Sequence, residues 1–149
     1  MRARAGTGKT AAFAVAALAA VADAGDPSTR ALILAPTREL ALQTAAVIAA
    51  IAPRTLPAVA VAAFVGGLPL AGDAARLKRP AHVVAATPGR AAALVERGLL
   101  RLDRVALLVL DEADALLGPQ LARDVARVAA AASSPTRQTL AFSATLDGS

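Results

Sequence analysis

The 149 residues include no cysteine, no tryptophan and no tyrosine. Without thiols the chain has neither a disulfide framework nor a thiolate metal site. A single histidine, His82, is too few for a histidine-based metal site. Phe13, Phe64 and Phe142 are the whole aromatic complement, so the stacking platforms of many single-strand binders are not expected. Lysine is scarce as well. Lys9 and Lys78 are two of the 16 basic residues, which leaves 14 arginines.

What is abundant is alanine, at 43 residues, about half of the 56% apolar fraction. Alanine favours helix and buries little area per residue, so a helix-rich fold with a thin core is expected. The joint skew to Ala and Arg reads as a coding bias. Net charge is +5 and the sequence pI is about 11.2. A basic balance favours polyanionic partners, although an arginine-biased chain is basic without any such partner. The length suits one domain with a core of its own.

Arg2, Arg4 and Lys9 precede an apolar run over 11–22 that ends Ala20-Val21-Ala22. This has the outline of a secretory leader with a small-residue cleavage site. It is too short to span a bilayer. The competing reading is an Ala-rich helix that follows a phosphate-binding loop.

Farther along, short continuous apolar runs fall at 31–35, 59–65, 82–86, 105–110 and 139–142, as expected of strands buried on both faces of a parallel sheet. Helical patterns lie between them: at 11–23, at 38–52 with Leu40, Val47, Ile48 and Ile51 on one face, and after Gly118-Pro119 with Val125 and Val128. Turn residues separate these runs at 25–28, 53–57, Gly66-Gly67, Pro88-Gly89 and Gly118-Pro119. Strands alternating with helices predict an α/β fold with a mostly parallel sheet, in which ligands bind beyond the carboxyl ends of the strands.

The polar motifs cluster at those ends. Gly6-Thr7-Gly8-Lys9-Thr10 is a glycine-rich turn entering a helix. Such a turn wraps phosphates with its N–H groups, and the helix dipole faces the anion. Lys9 would reach the β and γ phosphates of ATP, and the Thr10 hydroxyl would ligate Mg2+. The strict spacing wants glycine where Ala3 stands, so alone the motif is also compatible with a plain turn. Asp111-Glu112-Ala113-Asp114 directly follows the apolar run 105–110. A carboxylate at the end of a buried strand is costly unless something binds it. Mg2+ on a nucleotide would be such a partner, with Asp111 holding the ion and Glu112 orienting the attacking water. Together the two motifs predict ATP binding and argue against the leader reading, since cleavage would discard the loop. An intracellular, non-secreted protein is expected.

The full set of motifs resembles the DEAD-box RNA helicases over essentially the whole chain. Ala3-Arg4-Ala5-Gly6-Thr7-Gly8-Lys9-Thr10 is similar to that family's A-x-T-G-x-G-K-T, departing at Ala5. Pro36-Thr37-Arg38-Glu39-Leu40-Ala41, Gly66-Gly67, Thr87-Pro88-Gly89-Arg90, Asp111 to Asp114, and Ser143-Ala144-Thr145 follow in the family order. The resemblance implies a RecA-like first helicase domain over 1–149, with ATP phosphates held by Ala5, Gly6, Thr7, Gly8, Lys9 and Thr10. It implies RNA held by its backbone at Pro36, Thr37, Arg38, Gly66, Gly67, Thr87, Gly89 and Arg90. It implies coupling between the two sites through Asp114, Ser143 and Thr145. Each RNA-side motif has a local reading too: Thr37 fits a helix cap, and Gly66-Gly67 a close backbone approach. The stretch 64–70, with Asp73 and Arg76-Leu77, is similar to the gemin-type helicase of the SMN complex.

Only Met1 to Arg4 precede the phosphate loop, where the fold class has a strand, so that first strand is expected to be missing and to leave two exposed sheet edges. Also expected to be absent are the family's upstream adenine-reading motif and the second domain, whose arginines complete the ATPase site. Such an arginine is worth roughly 10³–10⁵ in rate. The chain thus reads as the ATP-binding half of a helicase, weak or inactive alone. The alternative is a non-enzymatic RNA-backbone-binding module or an inactive fragment. Arg76, Lys78, Arg79, Arg97, Arg101 and Arg104 read as solvated surface charge, and His82 as a strand-end residue. No membrane partner is expected.

Overall fold

The computed structural model describes residues 7–21, 26–55 and 59–143. Its elements are α1 (Thr7–Ala20), β1 (Ala31–Leu34), α2 (Arg38–Thr55), β2 (Val61–Phe64), α3 (Leu70–Arg76), β3 (Val83–Ala86), α4 (Pro88–Glu96), β4 (Leu107–Leu110), α5 (Ala113–Leu116), α6 (Ala122–Ala131) and β5 (Gln138–Ala141). All strand pairs are parallel, in the order β2-β3-β1-β4-β5. β1 pairs on one side with β3 and on the other with β4, in register from Ala31 to Leu34.

The continuous apolar runs are explained by this placement. β1 and β3 are buried along their length because helices cover both faces of the sheet. Successive residues serve opposite layers. Leu32 and Leu34 pack with Val84, Leu108, Leu110 and the α4 and α6 residues Leu94, Val125 and Val128. Ala31 and Ile33 face the other way, onto Phe13, Ala14 and Ala17 of α1 and Ile48 and Ala52 of α2. Alanine therefore serves as spacing material where helix and sheet lie close, and the few large side chains, such as Phe13, Phe64 and Leu94, fill each layer.

One expectation needs correction. Among the described residues the sheet has no internal gap: β4 and β5 hydrogen-bond directly, from Leu107↔Gln138 to Leu110↔Ala141, so no pair of exposed edges opens in mid-sheet. Instead β5 is an outer strand whose four residues are all exposed. Beyond the helices expected from sequence, the structure adds α3, α4 and α5, which are too short or too atypical in pattern to be read from periodicity. α3 has seven residues and buries none of them.

No helix among the described residues is long and apolar enough to cross a membrane. α1 buries Phe13, Ala14, Ala17 and Leu18 against the sheet, followed by buried Val21, as an Ala-rich domain helix and not as an isolated apolar segment.

Candidate nucleotide and nucleic-acid site

Every motif in the described residues emerges at the carboxyl edge of the sheet. Pro36 to Arg38 follow β1, Gly66-Gly67 follow β2, Thr87 to Arg90 follow β3, Asp111-Glu112 follow β4 and Ser143 follows β5. β1 is the central strand, with successive strands laid down on both sides of it. A reversal of this kind opens a crevice at the carboxyl ends.

Lys9 and Asp111 meet in that crevice. Lys9 Nζ stands 3.8 Å from Asp111 Oδ1, too far for a hydrogen bond. The Asp111 side chain is 3% exposed, and its Oδ1 has no hydrogen-bond partner. Burial pushes its carboxyl above the ordinary range; the Lys9 charge opposes that shift, and the Glu112 charge adds to it while the Glu112 backbone N–H opposes it. An orphaned, buried carboxylate oxygen beside a cation is a poor structural choice but suits a divalent ion arriving with a nucleotide. Thr10, one residue beyond Lys9 in the first turn of α1, is 6% exposed. The residues present therefore fit Mg2+ with ATP. Ala5 and Gly6 lie outside the described residues. Thr7 and Gly8 open α1, where helix N–H groups lack intrahelical partners.

Glu112 has φ 54° and ψ 58°, the one non-glycine residue in the left-handed region among the described residues. That conformation costs on the order of 1–3 kcal/mol for a side chain of this kind and concentrates at functional sites. The turn it makes is held from β5: Ala113 N donates to Phe142 O at 2.7 Å. Phe142 in turn meets Phe13 of α1 edge-on, with ring centroids 4.7 Å apart. One path of contacts thus runs from the phosphate-loop helix through β5 to the acidic turn. Asp114 is exposed, Ser143 is half-buried, and Thr145 lies outside the described residues.

On the neighbouring strands, two arginines brace the loops. Thr37 caps α2, its Oγ1 accepting from Leu40 N at 3.2 Å, as its position suggested. Arg38 donates to Gly66 O at 3.3 Å. Gly67 has φ 93°, a backbone conformation that favours glycine, and a β-carbon there would push the exposed Arg38 guanidinium away from Gly66 O. Nothing lies within 4 Å of a β-carbon placed at Gly66, which leaves that side of the loop open. Arg90 was expected to contact RNA phosphate. Its side chain is only 10% exposed, and it donates Nη1 to Asp73 Oδ2 at 2.7 Å and Nη2 to Leu68 O. It ties the start of α4 to the loop after β2. Asp73 was not identified from sequence as a site residue, because its partner lies 17 residues away with no periodic relationship. Thr87 caps α4 by backbone alone, with Pro88 at its first turn and its hydroxyl making no cap bond.

Comparison with known proteins agrees with this arrangement. The family model for DEAD/DEAH box helicases matches residues 1–149. The chain belongs to that family. It is 40% identical over 148 residues to the ATP-dependent RNA helicase DbpA of Escherichia coli, covering 97% of this chain and 31% of that protein. It is 45% identical over 116 residues to ATP-dependent RNA helicase eIF4A of Lodderomyces elongisporus, covering 78% of this chain and 28% of the relative. The crystal structure of a DEAD box protein from the hyperthermophile Methanococcus jannaschii superposes with a TM-score of 0.80 at 34% identity, over 96% of this chain and 38% of that one. Saccharomyces cerevisiae Dbp5 bound to RNA and ADP BeF3 gives the same TM-score and identity over 96% of this chain and 35% of its own. The chain spans about a third or less of the curated relatives named here. Its fold is the RecA-like domain of these helicases.

Proposed function

We propose that the chain is the ATP-binding half of an ATP-dependent RNA helicase, in which ATP hydrolysis is coupled to RNA binding and duplex remodelling. The observation that carries this is the buried, unpartnered Asp111 oxygen facing Lys9 at the carboxyl edge of the sheet. A purely non-enzymatic RNA binder would have no use for that costly pair, nor for the strained Glu112 beside it.

In this reading Thr7, Gly8 and the preceding Ala5 and Gly6 present backbone N–H groups to the phosphates, at the positive end of α1. Lys9 holds the terminal phosphates. Thr10 and Asp111 hold Mg2+, which when bound neutralises charge that develops on the transferred phosphoryl group. Glu112 orients the attacking water at its carboxylate, and its fixed left-handed backbone sets the direction of that side chain. Arg residues from a second helicase domain complete the site, so turnover by residues 1–149 alone is slow.

The RNA side is backbone recognition. The N-termini of α2 and α4, with Thr37, Thr87 and Gly89, and the free face of Gly66 offer N–H groups and hydroxyls to phosphates, while Pro36 fixes the entry into α2. Arg38 is exposed and able to reach a phosphate while bracing Gly66, whereas Arg90 acts by holding the loops in place. Asp114 beside the acidic turn and Ser143 just after β5, with Thr145 two residues on in sequence, would pass a change at the nucleotide to the RNA loops. Solved Dbp5 is described with RNA and ADP BeF3 bound, which supports the same pair of ligands here.

Fluorescence polarisation with single-stranded RNA tests the RNA half of this reading. Binding is expected to be indifferent to base sequence, to fall with salt and to be weakened by Gly67→Ala. Tight binding that discriminates between homopolymers, or binding untouched by Gly67→Ala, contradicts it.

A further inference from the structure

At the opposite end of the sheet, where the strands begin, three loops line an open recess of about 500 Å3. Its walls come from Pro27 to Thr29 before β1, the segment 77–81 before β3, and the segment 99–104 before β4. That size lies within the range of ligand-binding clefts. Four-residue strands separate it by roughly 13 Å from the nucleotide and RNA loops.

The recess is built and not merely left over. Thr29 Oγ1 donates to Ala81 O at 2.7 Å from a buried position. Arg30 donates to Arg104 O at 3.2 Å, and Arg76 donates to Arg79 O and Pro80 O. Arg104 is paired with Asp26 at 2.8 Å. These ties fix all three walls to one another, so the shape exists before any ligand arrives.

Its chemistry is two-sided. Lys78, Arg79, Arg101 and Arg104 supply positive charge. Asp26 offsets Arg104, and Asp103 stands a loose 3.8 Å from Arg101. Lys78 and Arg79 have no acidic partner among the described residues and are exposed. Burial, and after it the Arg79 charge, lowers the pKa of the neighbouring Arg76. Between the cations the lining is aliphatic: Leu77, Leu99, Leu100 and Ala81, with Leu99 36% exposed.

We propose that this recess docks an acidic peptide segment of a partner protein, with an aliphatic side chain set between carboxylates. Surplus cations select the carboxylates, and the leucine floor takes the aliphatic side chain. The aliphatic lining between the cations gives a bare phosphate backbone nothing to fill it, whereas an acidic peptide carries both charge and an aliphatic side chain, and RNA is tested as a competitor. The position leaves the carboxyl edge free, so the peptide and RNA bind together.

The test is fluorescence polarisation of the full chain with a fluorescein-labelled octapeptide, Glu-Asp-Leu-Glu-Glu-Leu-Asp-Glu. The double variant Lys78→Glu/Arg79→Glu alters two exposed residues, and its fold is checked by circular dichroism and Tm. Wild type is expected to bind the peptide, the charge-reversed variant to lose roughly tenfold or more in affinity, and a peptide with serine for both leucines to lose about fivefold. Excess decauridylate is expected not to displace the peptide. The proposal is overturned if wild type does not bind the peptide, if the folded double variant binds as wild type, if the serine peptide binds equally well, or if decauridylate competes.

Discussion

Asp111 Oδ1 lies 3.8 Å from Lys9 Nζ, buried and without a hydrogen bond. The pair joins the first turn of α1 to the end of β4 across the crevice, and the fold bears its cost until a ligand arrives. Replacing Asp111 by Asn removes the buried charge and keeps the shape. Asp111→Asn is expected to raise Tm of the ligand-free chain by about 2–4 °C, the shift for about 1 kcal/mol at this size. It is also expected to lose the further rise that Mg2+ with ATP gives wild type. Differential scanning fluorimetry with and without the ligands reads both effects.

Asp73 is expected to matter for RNA although it touches none. It holds Arg90, which also holds Leu68 O, so the loops after β2 and β3 share one brace. Asp73→Ala leaves a guanidinium mostly buried without its partner and is expected to cost about 2 kcal/mol. RNA affinity falls with it, while nucleotide affinity is unchanged. Arg90→Lys is expected not to rescue the brace, since an ammonium lacks the planar fork that reaches two acceptors at once. Urea melts with RNA and nucleotide titrations separate these outcomes.

Such braces mark the limit of what the sequence revealed. The chemistry-bearing residues were legible because glycine before Lys9, or two acids after six apolar residues, have few other uses. The strands 31–35 and 105–110 were legible because burial on both faces removes polar residues altogether. Arg38 and Arg90 were legible as cations beside phosphate-binding loops, but the direction of a guanidinium depends on acceptors many residues away. β5 was placed at 139–142 from its apolar residues, whereas pairing with β4 sets it at Gln138–Ala141. Its exposure removes the burial that marks the other strands. His82 is at a strand end as expected, yet it is buried and accepts from Ala60 N through Nδ1, which ties β3 to the approach of β2.

Thr44 is fully buried in α2, and its hydroxyl has no hydrogen-bond partner. Valine has nearly the same shape without the unmet hydroxyl. Thr44→Val is expected to stabilise the chain by about 1 kcal/mol, since threonine and valine have nearly the same helix preference. Equilibrium urea unfolding measures it.

Asp26 carries the expected pH dependence. Its carboxyl is held down to about 2, first by the Ser28 hydroxyl and backbone N–H and then by Arg104. A carboxyl whose folded pKa is depressed contributes stability above its unfolded value, and that contribution is lost as pH falls toward the folded value. The window is therefore from about pH 4 down to pH 2. Asp26→Asn is expected to melt below wild type at pH 5 to 7 and to converge with it near pH 2. Tm measured across that range checks the sign.

The central claim is that Lys9 and Asp111 form a site for Mg2+ and ATP. The most direct measurement is equilibrium binding of a fluorescent ATP analogue to the chain, with Mg2+ and with EDTA, for wild type, Lys9→Ala and Asp111→Asn. The account expects Mg2+-dependent binding by wild type, binding weakened about 100-fold by Lys9→Ala, and an Asp111→Asn protein that no longer responds to Mg2+. Binding that is equal in all three proteins, or indifferent to EDTA in wild type, contradicts it.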